Sequence, residues 1–402
     1  MTTLGMEEVF KISGVPTYTF VEPVEYNRIC LSLRTPGRGI VIEGPSGIGK
    51  TCAIVKALNY LGMNEITEKL SARKKNDLER IEEIIGQTNL GTVLIDDFHR
   101  LSPELKEKIA DYLKTLADEE VVDTKIVIVG INRAGETLIR FAEDLVNRID
   151  IIKFEINPES KVQEILEKGE KELNIEITSK NEIVKESHGS FYLAQMLAYE
   201  TCLYDDLLEK TDEFRNIFVS LEVVKQTVYE RMTPRYMVTT KSFASGPKLN
   251  KTGRAPYLHI LHWVTNSESW SISIEDELRK YTDQKSSVGQ IVEKGYLKKF
   301  MDAHPEFENL FNFDPLSNIF TIEDPQFIFF LRNIIWSKFA QTLGFKTIFF
   351  ESRYDFALSF AGSDREMAEM IFQKLTENEL SIFVTIQPNY RQSCIINSNT
   401  KN

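Results

Sequence analysis

One stretch, Gly44–Thr51, constrains this chain more than any other, because it fits the pattern G-x-x-x-x-G-K-[ST]. An apolar run, residues 39–42, enters it as a buried strand would, and residues 52–58 leave it with helical spacing. A glycine-rich turn between strand and helix directs backbone N–H groups and the positive end of the helix towards one point. The flanking strand and helix disfavour a chance match, so the sequence predicts a phosphate-binding loop.

The loop residues have distinct expected roles. Lys50 would reach the β/γ oxygens of a nucleotide, and Thr51 would give its hydroxyl to Mg²⁺. The expected cofactors are therefore ATP and Mg²⁺. The residues expected to contact the nucleotide are Gly44, Pro45, Ser46, Gly47, Ile48, Gly49, Lys50, Thr51 and Cys52.

A second apolar strand, residues 92–95, ends in the acids Asp96 and Asp97. This is the Walker B pattern at a distance from the loop that a βαβ core allows. Asp96 would hold Mg²⁺ through water, and Asp97 would orient or deprotonate the attacking water. The alternative is a strand that merely ends in an acidic turn.

The loop, the acidic strand end, Asn132 and Arg148 follow one another along the chain. In that order they resemble the AAA+ and STAND branches of the P-loop NTPases, over roughly residues 15–205. The resemblance implies that Asn132 is a sensor beside the γ-phosphate. It also implies that Arg148 is an arginine finger for a neighbouring subunit, with an ordinary surface salt bridge as the alternative. The segment 188–195, where the family carries a second sensor arginine, is instead typical of a helix cap and helix start.

The alternation of strands and helices predicts an α/β fold, with a parallel sheet and the ligand at its carboxyl edge. The expected domains are a P-loop ATPase core (1–155), a helical lid (156–240), a linker (241–255), a winged-helix domain (256–345) and a partial TIR-like domain (350–402).

The segment that resembles a winged helix contains one helix at 257–264, two later helices at 275–281 and 286–300, and a hairpin within 310–322. In such a domain the third helix would enter the major groove of DNA. The phosphate contacts would come from Lys285, Lys294, Lys298 and Lys299, opposed by Glu293. STAND switches use the same fold only to hold the ATPase shut, so DNA remains one of two possible partners.

The last segment begins Tyr354-Asp355-Phe356-Ala357-Leu358-Ser359-Phe360 and resembles the opening β-α-β of a TIR domain over residues 352–386. In NAD-cleaving TIR domains the catalytic glutamate lies on a later helix, which this sequence lacks. We therefore expect an incomplete TIR domain and no NAD hydrolysis by this chain.

Composition limits the partners and the setting. The net charge of −12 argues against a protein wrapped broadly around nucleic acid. The four cysteines have no metal-ligand or disulfide spacing, which predicts a reducing, cytoplasmic setting and no zinc site. No apolar run approaches a membrane span, and the first residues lack the pattern of a signal peptide.

These features predict a STAND-like signalling ATPase whose nucleotide switch controls homo-oligomerisation in the ATP state and a C-terminal TIR effector. The domain order suggests anti-phage defence as its pathway. The alternative is a DNA-binding AAA+ ATPase that uses its winged helix on duplex DNA.

Overall fold

The structure is a computed structural model of the chain. It describes residues 4–130, 138–139, 143–248, 253–307, 310–350, 356–361, 364–376, 382–387 and 395–398. The chain divides into two compact units. The loop unit comprises Glu7–Glu172 and Val184–Met196, and the C-terminal unit comprises Met1–Met6, Leu173–Ile183 and Leu197–Asn402.

The loop unit is built on a five-stranded parallel sheet, in the order β2-β3-β4-β1-β5. The predicted α/β class with a parallel sheet is therefore confirmed. Strand β1 lies between β4 and β5, whereas the connection that leaves β1 crosses to β2 at the far edge of the sheet, and open parallel sheets bind ligands at such a change in strand order. The strands are β1 (Gly39–Glu43), β2 (Thr67–Ser71), β3 (Gly91–Asp96), β4 (Thr124–Gly130) and β5 (Ile149–Lys153).

Helices cover both faces of this sheet. On one face Ile42 packs with Leu58 of α3, in a core to which α2 also contributes. On the other face Val41 packs in a core that contains Ile81 of α4 and Ile109 of α5. The helices are α1 (Met6–Val9), α2 (Tyr26–Arg34), α3 (Lys50–Tyr60), α4 (Lys75–Ile84), α5 (Pro103–Asp118) and α6 (Glu159–Leu173).

The lid region, residues 156–240, was expected to be helical throughout, and it contains a short sheet as well. Strands β6 (Ile175–Ile177) and β7 (Arg215–Ile217) pair in parallel. The helices of this region are α7 (Lys180–Glu186), α8 (Phe191–Tyr204) and α9 (Leu221–Ser245). The expected linker at 241–255 begins inside α9, because Phe243 and Ala244 are buried and continue its packed face.

The next part of the C-terminal unit has an antiparallel sheet in the order β8-β10-β9. The single helix expected at 286–300 is wrong: a π-helical turn at Lys285–Gly289 precedes α12, and Gly295, with φ of +67°, separates α12 from α13. The elements are α10 (Pro256–Thr265), β8 (Ser271–Ser273), α11 (Ile274–Lys280), α12 (Gln290–Glu293), α13 (Tyr296–Asp302), β9 (Phe311–Asp314), β10 (Ile319–Ile322), α14 (Pro325–Arg332) and α15 (Trp336–Leu343).

The end of the chain contains the β-α-β arrangement that the sequence predicts. Strand β11 (Phe356–Ala361) and strand β12 (Ile382–Gln387) are parallel, and α16 (Arg365–Thr376) joins them. A further strand, β13 (Ile395–Ser398), pairs antiparallel with β11 and was not expected. Among the helices in the described ranges, none has both the length and the apolar character needed to cross a bilayer.

Candidate functional site

The loop between β1 and α3 needs glycine at both of its ends. Gly44 has φ of +150°, and a Cβ there would lie 2.5 Å from the carbonyl oxygen of Phe154. Gly49 has φ of +101°, caps α3, and would bring a Cβ to 3.1 Å from the ring of Phe191. Any larger residue at either position would meet both an unfavourable backbone conformation and a neighbouring atom. This loop conformation therefore requires glycine at positions 44 and 49.

Lys50 is buried beneath this loop. Its Nζ donates to the carbonyl oxygens of Gly44, at 2.7 Å, and Pro45, at 2.6 Å. Burial lowers the pKa of Lys50 to about 8, although Asp96 and Asp97 act in the opposite direction. A desolvated ammonium group is stabilised by an anion, so this side chain fits a phosphate oxygen.

The residues predicted to bind metal lie together. The Thr51 hydroxyl donates to Oδ2 of Asp96 at 3.1 Å, across the gap between α3 and β3. Burial, and then the charge of Asp97, raise the pKa of Asp96. A hydroxyl and a carboxylate are oxygen ligands of the kind that Mg²⁺ prefers, so these residues fit that ion. Within the described ranges, no group of three or more His, Cys, Asp and Glu side chains offers another metal site.

Asp97 has two partners that the sequence did not indicate. Its Oδ2 accepts a hydrogen bond from the hydroxyl of Ser71, at 3.0 Å, and forms an ion pair with Nε of Arg73, at 2.9 Å. Its own backbone is left-handed, with φ of +58°. Since β2 and β3 are parallel neighbours, the residues that follow them lie at the same edge of the sheet. The contact of Arg73 with Asp97 could have been predicted only if the order of the strands had been known.

The outer side of the loop is held by a second segment that sequence reasoning also missed. Asn157 donates through Nδ2 to the carbonyl oxygens of Ile48, at 3.1 Å, and Gly189, at 2.9 Å. The N–H of Tyr192 donates to the carbonyl oxygen of Gly47 at 3.0 Å. The predicted helix start in this segment is confirmed, because the Ser190 hydroxyl accepts the N–H of Leu193 at 3.2 Å as α8 begins.

Two further site residues were expected from the sequence, the arginine finger Arg148 and the sensor Asn132, and the structure describes only the first. Arg148 forms an ion pair between its Nε and Oδ1 of Asp118, 2.5 Å apart, at the end of α5. This contact is the surface salt bridge that was the alternative for Arg148, and the finger role stays a prediction. Asn132, the expected sensor, lies outside the described residues.

Comparison with known proteins finds similarity only among solved structures. No family model matches the sequence, and no curated protein does. The RuvB Holliday junction branch migration motor of Thermotoga maritima is 15% identical, with 75% of this chain and 92% of that chain covered and a TM-score of 0.38. Domain III of the replication initiation protein DnaA, also from T. maritima, is 20% identical over 56% of this chain and 96% of that chain, with a TM-score of 0.37. Orc1 of Aeropyrum pernix, in complex with DNA, is 14% identical over 72% and 87%, with a TM-score of 0.42.

At identities and TM-scores this low, conclusions about activity depend on the residues of the chain itself. What those residues offer is a loop with glycine at both ends, a buried cation, a hydroxyl in contact with a carboxylate, and a second carboxylate, all at one edge of a parallel sheet.

We expect nucleotide affinity to fall as the pH rises above about 8. Below the lowered pKa of Lys50 the ammonium is already protonated when nucleotide arrives, so affinity is at its full value there. Above it, binding must take up a proton, because bound phosphate favours the charged form, and affinity falls by up to about tenfold per pH unit. Calorimetric titration with ATP and Mg²⁺ from pH 6.5 to 9.5 measures this.

The control for the pH dependence is Lys125, whose pKa burial likewise lowers to about 8. Its Nζ donates to the carbonyl oxygen of Ser32, at 2.8 Å, and it lies at the start of β4, at the opposite sheet edge from the loop. The variant Lys125→Met should keep the fall in affinity. An affinity that stays level to pH 9.5 in the native chain would contradict the assignment to Lys50.

Proposed function

We propose that this chain binds ATP with Mg²⁺ and hydrolyses it, and that the bound nucleotide sets its conformational state. The observation that carries the proposal is the hydrogen bond between Thr51 and Asp96 beside the buried ammonium of Lys50. Phosphate-binding and metal-binding groups from two separate strand ends meet there. A glycine-rich turn with a purely structural role has no reason to place a buried lysine and a hydroxyl beside the acidic end of another strand.

The roles of the residues follow from their chemistry. Lys50 would exchange its bonds to loop carbonyls for a phosphate oxygen, and the loop N–H groups would hold the remaining oxygens. Thr51 and Asp96 would hold Mg²⁺, which supplies positive charge against the phosphates. Asp97 would accept a proton from the attacking water through its carboxylate, once that carboxylate is free of Arg73.

Two substitutions separate binding from hydrolysis. Lys50→Ala removes a charged hydrogen-bond donor from the phosphates and should weaken ATP binding by about 10- to 100-fold. Asp97→Asn keeps the loop intact and should leave binding unchanged, but slow hydrolysis by about 10²- to 10⁴-fold because it removes the proton acceptor. Calorimetry and steady-state phosphate release measure the two effects. Hydrolysis by Asp97→Asn at the native rate would remove Asp97 from this role.

The ion pair of Arg73 with Asp97 predicts that a substitution at Arg73 speeds hydrolysis, whereas Asp97→Asn slows it. While Arg73 engages Oδ2 of Asp97, that oxygen is less able to accept a proton from water. Arg73→Ala should therefore raise the hydrolysis rate by roughly two- to tenfold with little change in KM for ATP. Arg80→Ala is the matched control, because it also removes a paired arginine near β2. Arg80 forms its ion pairs with Glu68 of β2 and with Glu83, and not with Asp97. A slower Arg73→Ala variant would show that Arg73 assists the reaction instead.

We propose further that the ATP-bound form self-associates and brings C-terminal TIR-like segments together, as a STAND-type switch in anti-phage defence does. The helix-strand-helix-helix-helix-hairpin order of residues 256–322, with its antiparallel sheet, supports a winged-helix domain. The β-α-β arrangement of residues 356–387 supports the TIR-like interpretation.

DNA binding through the winged helix is the second candidate, and the order of these elements is the observation in its favour. The charges around the hairpin oppose it. Asp314 accepts the hydroxyl of Ser317 within the hairpin turn, at 2.5 Å, and Glu275 accepts Nδ2 of Asn318. Lys298, one of the four expected phosphate contacts, is paired with Asp302. We therefore favour a role in which this domain contacts protein.

Light scattering with ATP and with ADP distinguishes the two candidates. We expect the native chain to have a larger solution mass in ATP than in ADP, and Lys50→Ala to show no difference, since it lacks the lysine that binds phosphate. A monomer in every nucleotide state, together with duplex-DNA binding that weakens steeply with salt, would contradict ATP-driven assembly and favour the DNA-binding candidate.

A further inference from the structure

The loop unit contains a close contact between the phosphate-binding loop and the start of α8. We define the Gly189 turn as residues 187–192. This turn, together with Asn157, contacts three consecutive loop residues, Gly47, Ile48 and Gly49. All of these residues belong to one compact unit.

Three hydrogen bonds of this contact end on backbone carbonyls of the loop. Gly47 accepts from the N–H of Tyr192, at 3.0 Å, and from the hydroxyl of Ser190, at 3.2 Å. Ile48 accepts from Nδ2 of Asn157 at 3.1 Å. In a phosphate-binding loop the N–H groups face the anion. The carbonyls of the same peptide units are therefore the groups that a second segment can hold without competing with the ligand.

The packing around these bonds leaves little room for independent movement. Asn157 is 5% exposed and uses both amide hydrogens, one on the loop and one on the carbonyl oxygen of Gly189. At Gly189, with φ of +71°, a Cβ would lie 2.7 Å from the carbonyl oxygen of Asn157. The ring of Phe191 lies next to Gly49, 3.1 Å from where a Cβ at that residue would be. A change in the loop backbone at 47–49 must therefore move the Gly189 turn or break these bonds.

We propose that Asn157 and the N–H of Tyr192 are positioning groups that couple the occupancy of the loop to the start of α8. The inference rests on the proposed nucleotide binding and adds the route by which the bound phosphates act on this helix. Phosphates that reorient the peptide units of Gly47 and Ile48 also change the direction of their carbonyls, which accept hydrogen bonds from Asn157 and from the Gly189 turn. The turn then stabilises or releases the first residues of α8.

A pair of substitutions at one position tests this coupling. Tyr192→Pro removes the N–H that Gly47 accepts, and proline is tolerated in the first turn of a helix, where N–H groups have no intrahelical partner. Tyr192→Ala removes the side chain and keeps the N–H, so it is the matched control. Asn157→Asp is a second variant of nearly the same shape whose ionised side chain has no hydrogen to donate.

The readout is amide hydrogen exchange over residues 193–200, with and without ATP and Mg²⁺, alongside the ATP dissociation constant and the ligand-free Tm. In the native chain and in Tyr192→Ala we expect nucleotide to change the exchange rate by about tenfold or more. In Tyr192→Pro and Asn157→Asp we expect a change of less than about twofold. We also expect ATP to bind about fivefold more weakly to these two variants, because the loop loses a hydrogen bond that holds its shape.

The outcomes separate the coupling from the proposed function. A native chain that binds no ATP contradicts nucleotide binding itself, and the coupling falls with it. A native response that persists in Tyr192→Pro and in Asn157→Asp overturns the coupling and leaves nucleotide binding in place. A response lost equally in Tyr192→Pro and Tyr192→Ala also overturns it, because the aromatic side chain, and not the N–H, would then be responsible. A purely structural role would lower the ligand-free Tm and leave the response to nucleotide intact.

Discussion

The buried ammonium group of Lys50 is the interaction on which the rest of the site depends. A desolvated charge has to be surrounded by oxygen acceptors, and in this chain the carbonyls of Gly44 and Pro45 provide them. Gly44 itself has φ of +150°, a backbone conformation that glycine adopts and that other residues rarely do. The carbonyls of Gly47 and Ile48 point the other way and are paired with residues of a second segment. Both sides of the loop backbone therefore have partners, so a ligand that moves the loop must also shift or break these contacts.

Charge balance at the sheet edge explains why a metal ion belongs to the proposed site. Among the described residues around the loop, two cations, Lys50 and Arg73, stand against two acids, Asp96 and Asp97, so the formal charges of these four cancel. A triphosphate adds several negative charges to these four, and the pKa of Asp96 is raised even without it. A divalent cation held by Thr51 and Asp96 offsets that excess, and a monovalent one would offset much less of it.

The sequence was most informative where function restricts residue type within a short stretch. The loop, the acidic strand end and the helix start at Ser190 could all be predicted, because each depends on neighbours a few residues away. Arg73 and Asn157 could not be, since each acquires its role from a segment distant along the chain. Strands β6 and β7 are three residues long, too short for an alternating pattern. The break at Gly295 interrupts a run that otherwise has helical spacing.

The left-handed backbone of Asp97 restricts which acid this strand end can carry. Short Asp and Asn side chains are among the few that enter this conformation readily, whereas the longer side chain of glutamate lacks their local hydrogen bonding. A glutamate at position 97 would extend the reach of the carboxylate by one methylene but would adopt this left-handed conformation less readily than aspartate does. The carboxylate is therefore held on a short side chain, and in the proposed function the attacking water would have to come close to the strand end itself. The place of the carboxylate is therefore set by the backbone conformation of residue 97 and not by the length of a flexible side chain. A change in that backbone conformation would move the carboxylate as surely as a change of side chain.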